Sequence, residues 1–319
     1  MKIDIDPEKR EAFEARLAEL EPWMHAFQFG PETIVGFYKY EGLGLDETSC
    51  TPQSDPQRIR RLQNAYALRN HAEHFGFYED MLSIIPKGER EKLSVLDLAS
   101  ATGEFSFWAV DQGFGRVTSV EIRDNQVAQQ RLILDSTSNA DYRNRIELIH
   151  EPMSADVPAF AERYGALKPD VVFSFGLLYH LANPIQHLRN LYDITQRYAF
   201  IYTTTHHEPC SEAAWILRFE EPEIITKGVE GANWRPHFNG LIKTLKHIGF
   251  RNVRIAYPPR FARHFPEYDR YDQRARRRMR LANLLRRAGL TTGYLRNFER
   301  EYYRYSGLNP NYFGYILEK

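Results

Sequence analysis

Val95-Leu96-Asp97-Leu98-Ala99-Ser100-Ala101-Thr102-Gly103-Glu104-Phe105-Ser106-Phe107, with Val117-Thr118-Ser119-Val120-Glu121 following, is the stretch from which the fold can be read. An apolar run ending in an acid, then small residues up to a glycine, then an amphipathic segment, predicts a strand that turns tightly into a helix. A second apolar run ends in Glu121, 18 residues beyond Gly103. A carboxylate at the next strand's tip, at that spacing, can accept both hydroxyls of a ribose while the loop backbone lies against the rest of the ligand. The pattern predicts a ligand that contains a ribose.

The loop narrows the choice of ligand. Dinucleotide binders use three glycines so that backbone amides reach a pyrophosphate at a helix N-terminus. Here Ala99 and Ala101 fill the first two small positions, Gly103 alone remains, and Asp97 precedes a loop without a basic residue. Such a loop repels phosphate and suits a cation. S-adenosylmethionine (SAM), with a sulfonium and an ammonium but no phosphate, is the cofactor that fits. The stretch resembles the first motif of class I SAM-dependent methyltransferases, which usually has Gly where Ala99 and Ala101 stand here. The alanines suit such a turn if neither needs φ > 0. Asp97, Ala99, Ala101, Gly103 and Glu121 are then donor-binding residues, Ile122 packs on one face of the adenine and Met153 on the other.

Composition sets outer bounds. The 319 residues can bury a sizeable core, and 43% apolar with 26% charged residues is ordinary for a globular protein. The net charge of zero gives no global field toward nucleic acid or a membrane. The start lacks an apolar signal core and no long apolar run follows, so a cytoplasmic location without membrane contact is expected. Cys50 and Cys210 have no metal-ligand spacing and are read as incidental thiols.

Residues 1–90 are expected to form an N-terminal, mainly helical extension. Asp6-Pro7 opens a first helix bearing Phe13, Leu17 and Leu20, Ile34 to Tyr38 looks like a strand, and Asp55-Pro56 opens a second helix. Residues 91–257 alternate strands and helices. Strands are expected at 94–98, 116–120, 146–150, 170–175, 198–203 and 250–257, with a last one at 312–317. Helices are expected at 104–112, 124–135, 157–164, 184–195 and 236–248. The fold class is α/β: a Rossmann-like, doubly wound, seven-stranded sheet, as in class I methyltransferases, with the strand 312–319 closing it. Residues 258–311 stand out as an insertion holding thirteen Arg, no Lys and five acids. A helical segment through Met279, Ala282, Leu285 and Ala288 is expected there, either bracing the sheet or covering the substrate.

The fourth strand of the central block continues into Ser174-Phe175-Gly176-Leu177-Leu178-Tyr179-His180, ahead of the cap pair Asn183-Pro184. In an open α/β sheet the ligand crevice lies beyond the carboxyl ends of the strands, so Ser174 and Gly176 are expected beside the donor. His180, just before a helix N-terminus, is the candidate general base, and Tyr179 orients the acceptor. Residues 175–184 resemble the corresponding stretch in relatives of the tRNA wobble-uridine carboxymethyltransferase. The segments Trp23 to Gly30 and Trp234-Arg235-Pro236, the latter leading into a helix, agree with that resemblance.

After the fifth strand, His206, His207 and Glu208 read as polar contacts to the substrate, as does Trp234. Adjacent histidines point to different sides of an extended chain and no third ligand is spaced to join them, so no metal site is expected. The resulting expectation is a SAM-dependent enzyme that methylates an oxygen or nitrogen of a soluble small molecule. An RNA-modifying enzyme is the alternative, and a catalytically silent SAM- or nucleoside-binding protein a second one. Oligomeric state is not legible.

Overall fold

The computed structural model describes residues 1–21, 23–25, 27–30, 33–35, 75–205, 214–219, 231–256 and 312–319. In chain order the strands are β1 (Phe27–Gln28), β2 (Ile34–Val35), β3 (Ser94–Leu98), β4 (Arg116–Glu121), β5 (Ile146–His150), β6 (Val171–Phe175), β7 (Tyr198–Thr204), β8 (Trp215–Phe219), β9 (Ala232–Pro236), β10 (Asn252–Ile255) and β11 (Tyr312–Glu318). The helices are α1 (Arg10–Leu17), α2 (Phe75–Leu82), α3 (Lys87–Arg90), α4 (Glu104–Asp111), α5 (Asp124–Ser136), α6 (Ala140–Arg145), α7 (Pro158–Gly165), α8 (Pro184–Ile194) and α9 (Phe238–Ile248).

One sheet of seven strands has the order β10-β11-β7-β6-β3-β4-β5. The pairs β3–β4, β4–β5 and β6–β7 are parallel, whereas β11 runs antiparallel to both β7 and β10. The chain winds outward through β3, β4 and β5 and then reverses to β6, which makes β3 and β6 the switch point of a doubly wound sheet. Parallel strands are covered on both faces, and β6 and most of β3 are accordingly buried along their length. The seven strands of the sheet fall within a residue or two of their predicted bounds, as do the five helices predicted within residues 91–257.

Residues 1–70 with 87–153 form one compact unit, and 71–86 with 154–319 a second. In the first unit the N-terminal segment is stitched to the strand–helix core. Asp6 N–H donates to Ser136 O (2.8 Å), Ser138 N–H to Asp4 O (3.0 Å), and Gln129 Nε2 to Leu20 O (2.5 Å). An aromatic cluster fills the space behind it: Phe13 lies edge-on to Phe29 at 4.7 Å, Phe27 stacks on Phe29 at 5.7 Å, and Phe27 meets Phe107 of α4. Asp6 accepts from Glu8 N–H at the first turn, as its place before Pro7 predicts, but that turn is 3₁₀ and α1 begins at Arg10.

In the second unit Phe173, Phe175 and Phe200 stack across β6 and β7, and Tyr78 of α2 lies 4.4 Å from Phe175. Asn183 caps α8 by accepting from Gln186 N–H, with Pro184 at the first helical position. The hairpin β8–β9 is a departure from expectation: Trp234-Arg235-Pro236 pairs with Trp215 to Leu217 as a strand, and α9 starts two residues later than predicted. Strand β2 begins at Ile34, where a strand was expected, and residues 36–38 lie outside the described residues; its antiparallel partner β1 and the helix α6 are elements that periodicity did not mark. The helix at Asp55-Pro56 and the insertion 258–311 lie outside the described residues.

Candidate functional site

The site in the first unit is built where β3 turns into α4. Ala99 and Ala101 both have positive φ, 53° and 50°, as does Gly103 at 81°. The loop thus follows the course that glycines normally take, and the condition under which the alanines would suit it, that neither needs φ > 0, is not met. Each alanine in this left-handed region costs about 1–2 kcal/mol, so the surrounding contacts over-determine the loop.

Those contacts come from Glu121 and Gln130. Ala101 N–H donates to Glu121 Oε2 (2.7 Å), while Ile122 N–H (3.0 Å) and Arg123 N–H (2.9 Å) donate to Oε1. Gln130 of α5 donates from Nε2 to Ser100 Oγ (2.8 Å) and Ala101 O (2.6 Å), and its Oε1 accepts from Ser119 Oγ (2.7 Å). The same side chain closes over Gly103, where a Cβ would stand 2.9 Å from Gln130 Oε1 and from Phe107. Gly103 is therefore fixed by space as well as by φ.

Glu121 is buried at the tip of β4, as the spacing predicts. A carboxylate has about four acceptor directions, and three amides already use three of them. One direction on Oε2 is left for a ligand hydroxyl; taking both hydroxyls of a ribose requires the Ala101 amide to let go. Asp97, at the end of β3, is also buried and accepts from Ser106 Oγ of α4 at 2.7 Å. Burial pushes its pKa up to about 7, against the pull of the Ser106 hydrogen bond, and the Glu121 carboxylate adds to the rise. Asp97 thus joins strand to helix rather than presenting an open charge. Ile122 and Met153 are half-buried, and Met153 N–H donates to Glu151 Oε1 (3.1 Å).

Buried polar side chains on α5 went unmarked in the sequence. Gln126, Gln129 and Gln130 are buried in α5 beside Val127 and Ile133, and polar residues at i, i+3 and i+4 on a helix's apolar face were a usable signal. His25, Thr102 and Glu104 form a second cluster: His25 Nδ1 is hydrogen-bonded to Thr102 Oγ1 at 2.9 Å and stands 3.9 Å from Glu104 Oε2.

In the second unit Ser174 is fully buried in β6 and bonded to His187 Nε2 of α8 at 2.9 Å. His187 Nδ1 meets Ala155 O at 3.2 Å, so Nδ1 carries the proton and Ser174 Oγ donates to Nε2. Burial lowers the His187 pKa to about 4, which keeps the ring neutral and this tautomer fixed. Ser174 is a staple between β6 and α8. Beyond it the chain turns at Gly176 (φ 69°), and Leu178–His180 form a 3₁₀ turn in which the Tyr179 and His180 rings lie 4.1 Å apart. Strand β9 packs on that turn, and Trp234 Nε1 on β9 is buried without a hydrogen-bond partner. His206, His207 and Glu208 lie outside the described residues.

The first unit's residues fit SAM: an acid at the second strand tip, a loop of small residues held open by backbone geometry, and no basic side chain from Asp97 to Gly103 to attract phosphate. Fold and site together define a class I SAM-dependent methyltransferase. The methyltransferase-domain family model matches residues 71–255, more than half of the chain, and the chain belongs to that family. Solved methyltransferase structures are similar to this chain. The N-terminal domain of EvdMO1, crystallised with S-adenosylhomocysteine (SAH) and D-fucose, is 18% identical with a TM-score of 0.50, over 77% of this chain and 89% of that one. The 1,6-didemethyltoxoflavin-N1-methyltransferase of Burkholderia thailandensis, with 1,6-didemethyltoxoflavin and SAH bound, is 11% identical with a TM-score of 0.42, over 93% and 99%. A SAM-dependent methyltransferase from Mesorhizobium loti is 12% identical with a TM-score of 0.44, over 76% and 98%. No curated protein matches the sequence. The protein is an enzyme, a methyltransferase, and its cofactor is SAM. No described helix is long and apolar enough to cross a membrane.

Proposed function

We propose that the enzyme methylates an oxygen or nitrogen of a small soluble acceptor, with His180 as general base. Bound SAM supplies an already activated methyl group, so the protein's work is alignment, exclusion of water and removal of one proton. His180 takes the acceptor's proton as the new bond to the methyl forms, and Tyr179, whose ring lies against it, orients the acceptor. Glu121, the loop 99–103, Ile122 and Met153 hold the donor in this reading, with Asp97 behind the loop and Gly176 after β6.

Trp234 carries the acceptor half of the proposal. A buried donor without a partner costs about 1–3 kcal/mol, and the strand bearing it packs on the turn that holds Tyr179 and His180. An oxygen of the acceptor is the partner this N–H awaits, and His206, His207 and Glu208 add polar contacts. The resemblance of residues 175–184 to relatives of the tRNA wobble-uridine carboxymethyltransferase leads to the RNA alternative. A flat response of acceptor affinity to salt supports a small molecule, and a steep fall supports RNA.

The test is SAH release with D-fucose and with the small-molecule fraction of a cell extract as acceptor sources. His180→Ala is expected to lower turnover by about 10²–10⁴-fold while SAH affinity stays unchanged. Equal loss of SAH binding would assign His180 to structure instead.

A further inference from the structure

We infer that the apolar face of the hairpin β8–β9 binds an apolar arm of the acceptor, which makes the substrate class an amphiphile: the oxygen or nitrogen to be methylated, carried on an alkyl or acyl chain. The inference rests on the reading that the acceptor binds beside Tyr179 and His180.

Strand register sorts the hairpin into two unlike faces. Residues directly opposite in an antiparallel pair share a face, and so do alternate residues along one strand. Trp215 is opposite Pro236 and Leu217 is opposite Trp234, so these four and Phe219 form one wholly apolar face. The other face carries Ile216, Arg218, Asn233 and Arg235, with Arg235 Nε donating to Asn233 Oδ1 at 3.2 Å. Exposure rises along the apolar face, from half-buried Trp215 to Leu217 at 41% and Phe219 at 79%. A run of apolar side chains left in water in this way marks a binding surface.

The strip's place and size define its occupant. Trp234 sits directly opposite Leu217, and its strand packs on the turn Leu178–His180. The Trp234 N–H, buried without a partner, calls for an oxygen, whereas Leu217 and Phe219 beyond it call for hydrocarbon. Four residues of strand span about 13 Å and paired strands lie about 5 Å apart, a strip on the order of 100 Å². A stable protein interface takes about 800 Å² from each partner, so the strip is too small for a second copy or another protein. It is long and narrow, as a chain requires, and none of its five residues is charged.

1-Hexanol, 1-octanol and 1-decanol, each a hydroxyl on an alkyl chain, test this on the full-length protein by calorimetric titration. Kd is expected to fall about two-fold per added methylene, because the strip covers the chain on one side and full burial corresponds to about four-fold. In the double variant Leu217→Ser with Phe219→Ser, both at exposed positions, this dependence on chain length is expected to flatten. Trp234→Phe keeps an aromatic ring and removes the N–H, and it is expected to weaken all three alcohols equally, by about three- to ten-fold. Affinity that ignores chain length, a dependence that survives in the double variant, no loss in Trp234→Phe, or no binding of any alcohol would overturn the inference while leaving the acceptor reading in place. SAH release that is indifferent to His180→Ala would remove that reading and this inference with it.

Discussion

Ala101 shows how far one residue can hold a loop against its own preference. Its positive φ is tolerated because the amide is caught by Glu121 and the carbonyl by Gln130. Ala101→Gly removes the steric cost of the left-handed region and adds chain entropy to the unfolded state, so the net gain is about 0.5–1 kcal/mol. A thermal unfolding midpoint higher by about 1–3 °C is expected, and a lower midpoint would mean the alanine carries no strain. Little of this was legible in the sequence. Glycine advertises a left-handed position and alanine does not, whereas the acid tip at Glu121 was readable from its spacing alone. Residues read as donor contacts, Asp97 and Ser174, turned out to be bonded to Ser106 and His187 inside the protein, because strand-tip position does not say which way a side chain is engaged.

At the scale of elements, the Asp97–Ser106 bond joins β3 to α4, and it makes stability depend on pH. The unfolded Asp97 loses its proton near pH 4, whereas the buried one holds it to about pH 7. Between these values the folded state binds more protons, so this group's contribution to stability is full below pH 4 and is lost as pH rises to 7. His187 acts in the other direction, its contribution being present above pH 6.5 and lost as pH falls toward 4. For Asp97→Asn, the midpoint difference from the parent is expected to rise between pH 5 and pH 8, as measured by thermal melts. A flat or falling difference would show an ionised carboxylate at that joint. Elements with strong periodicity and caps, such as β3, α4 and the Asn183-Pro184 start of α8, were legible within a residue or two. The hairpin β8–β9 was not, because Pro236 reads as the start of the helix that follows and the partner strand has no clean alternation.

For the whole molecule, sheet order follows from the alternation of strand and helix plus a late antiparallel strand, and it defines the class. The site proposed in the first unit was half legible: a cationic donor could be argued from the single glycine and the lack of bases between Asp97 and Gly103, whereas the contacts of Gln130 with the loop and of His25 with Thr102 and Glu104 assemble from distant parts of the chain. In the proposed reading, acceptor identity depends on residues around the β6 tip whose types are common and whose arrangement no spacing rule encodes.

The most direct test of the central claim, that Glu121 and the loop from Ala99 to Gly103 hold an adenosine joined to a cationic amino-acid tail, is calorimetric titration of the full-length protein and its Glu121→Gln variant with SAH. In the variant an amide nitrogen replaces one carboxylate oxygen and faces a backbone N–H. Saturable SAH binding is expected for the parent, and binding weaker by at least about ten-fold for the variant. No heat with SAH, together with saturation by a phosphate-bearing nucleotide, would contradict the account.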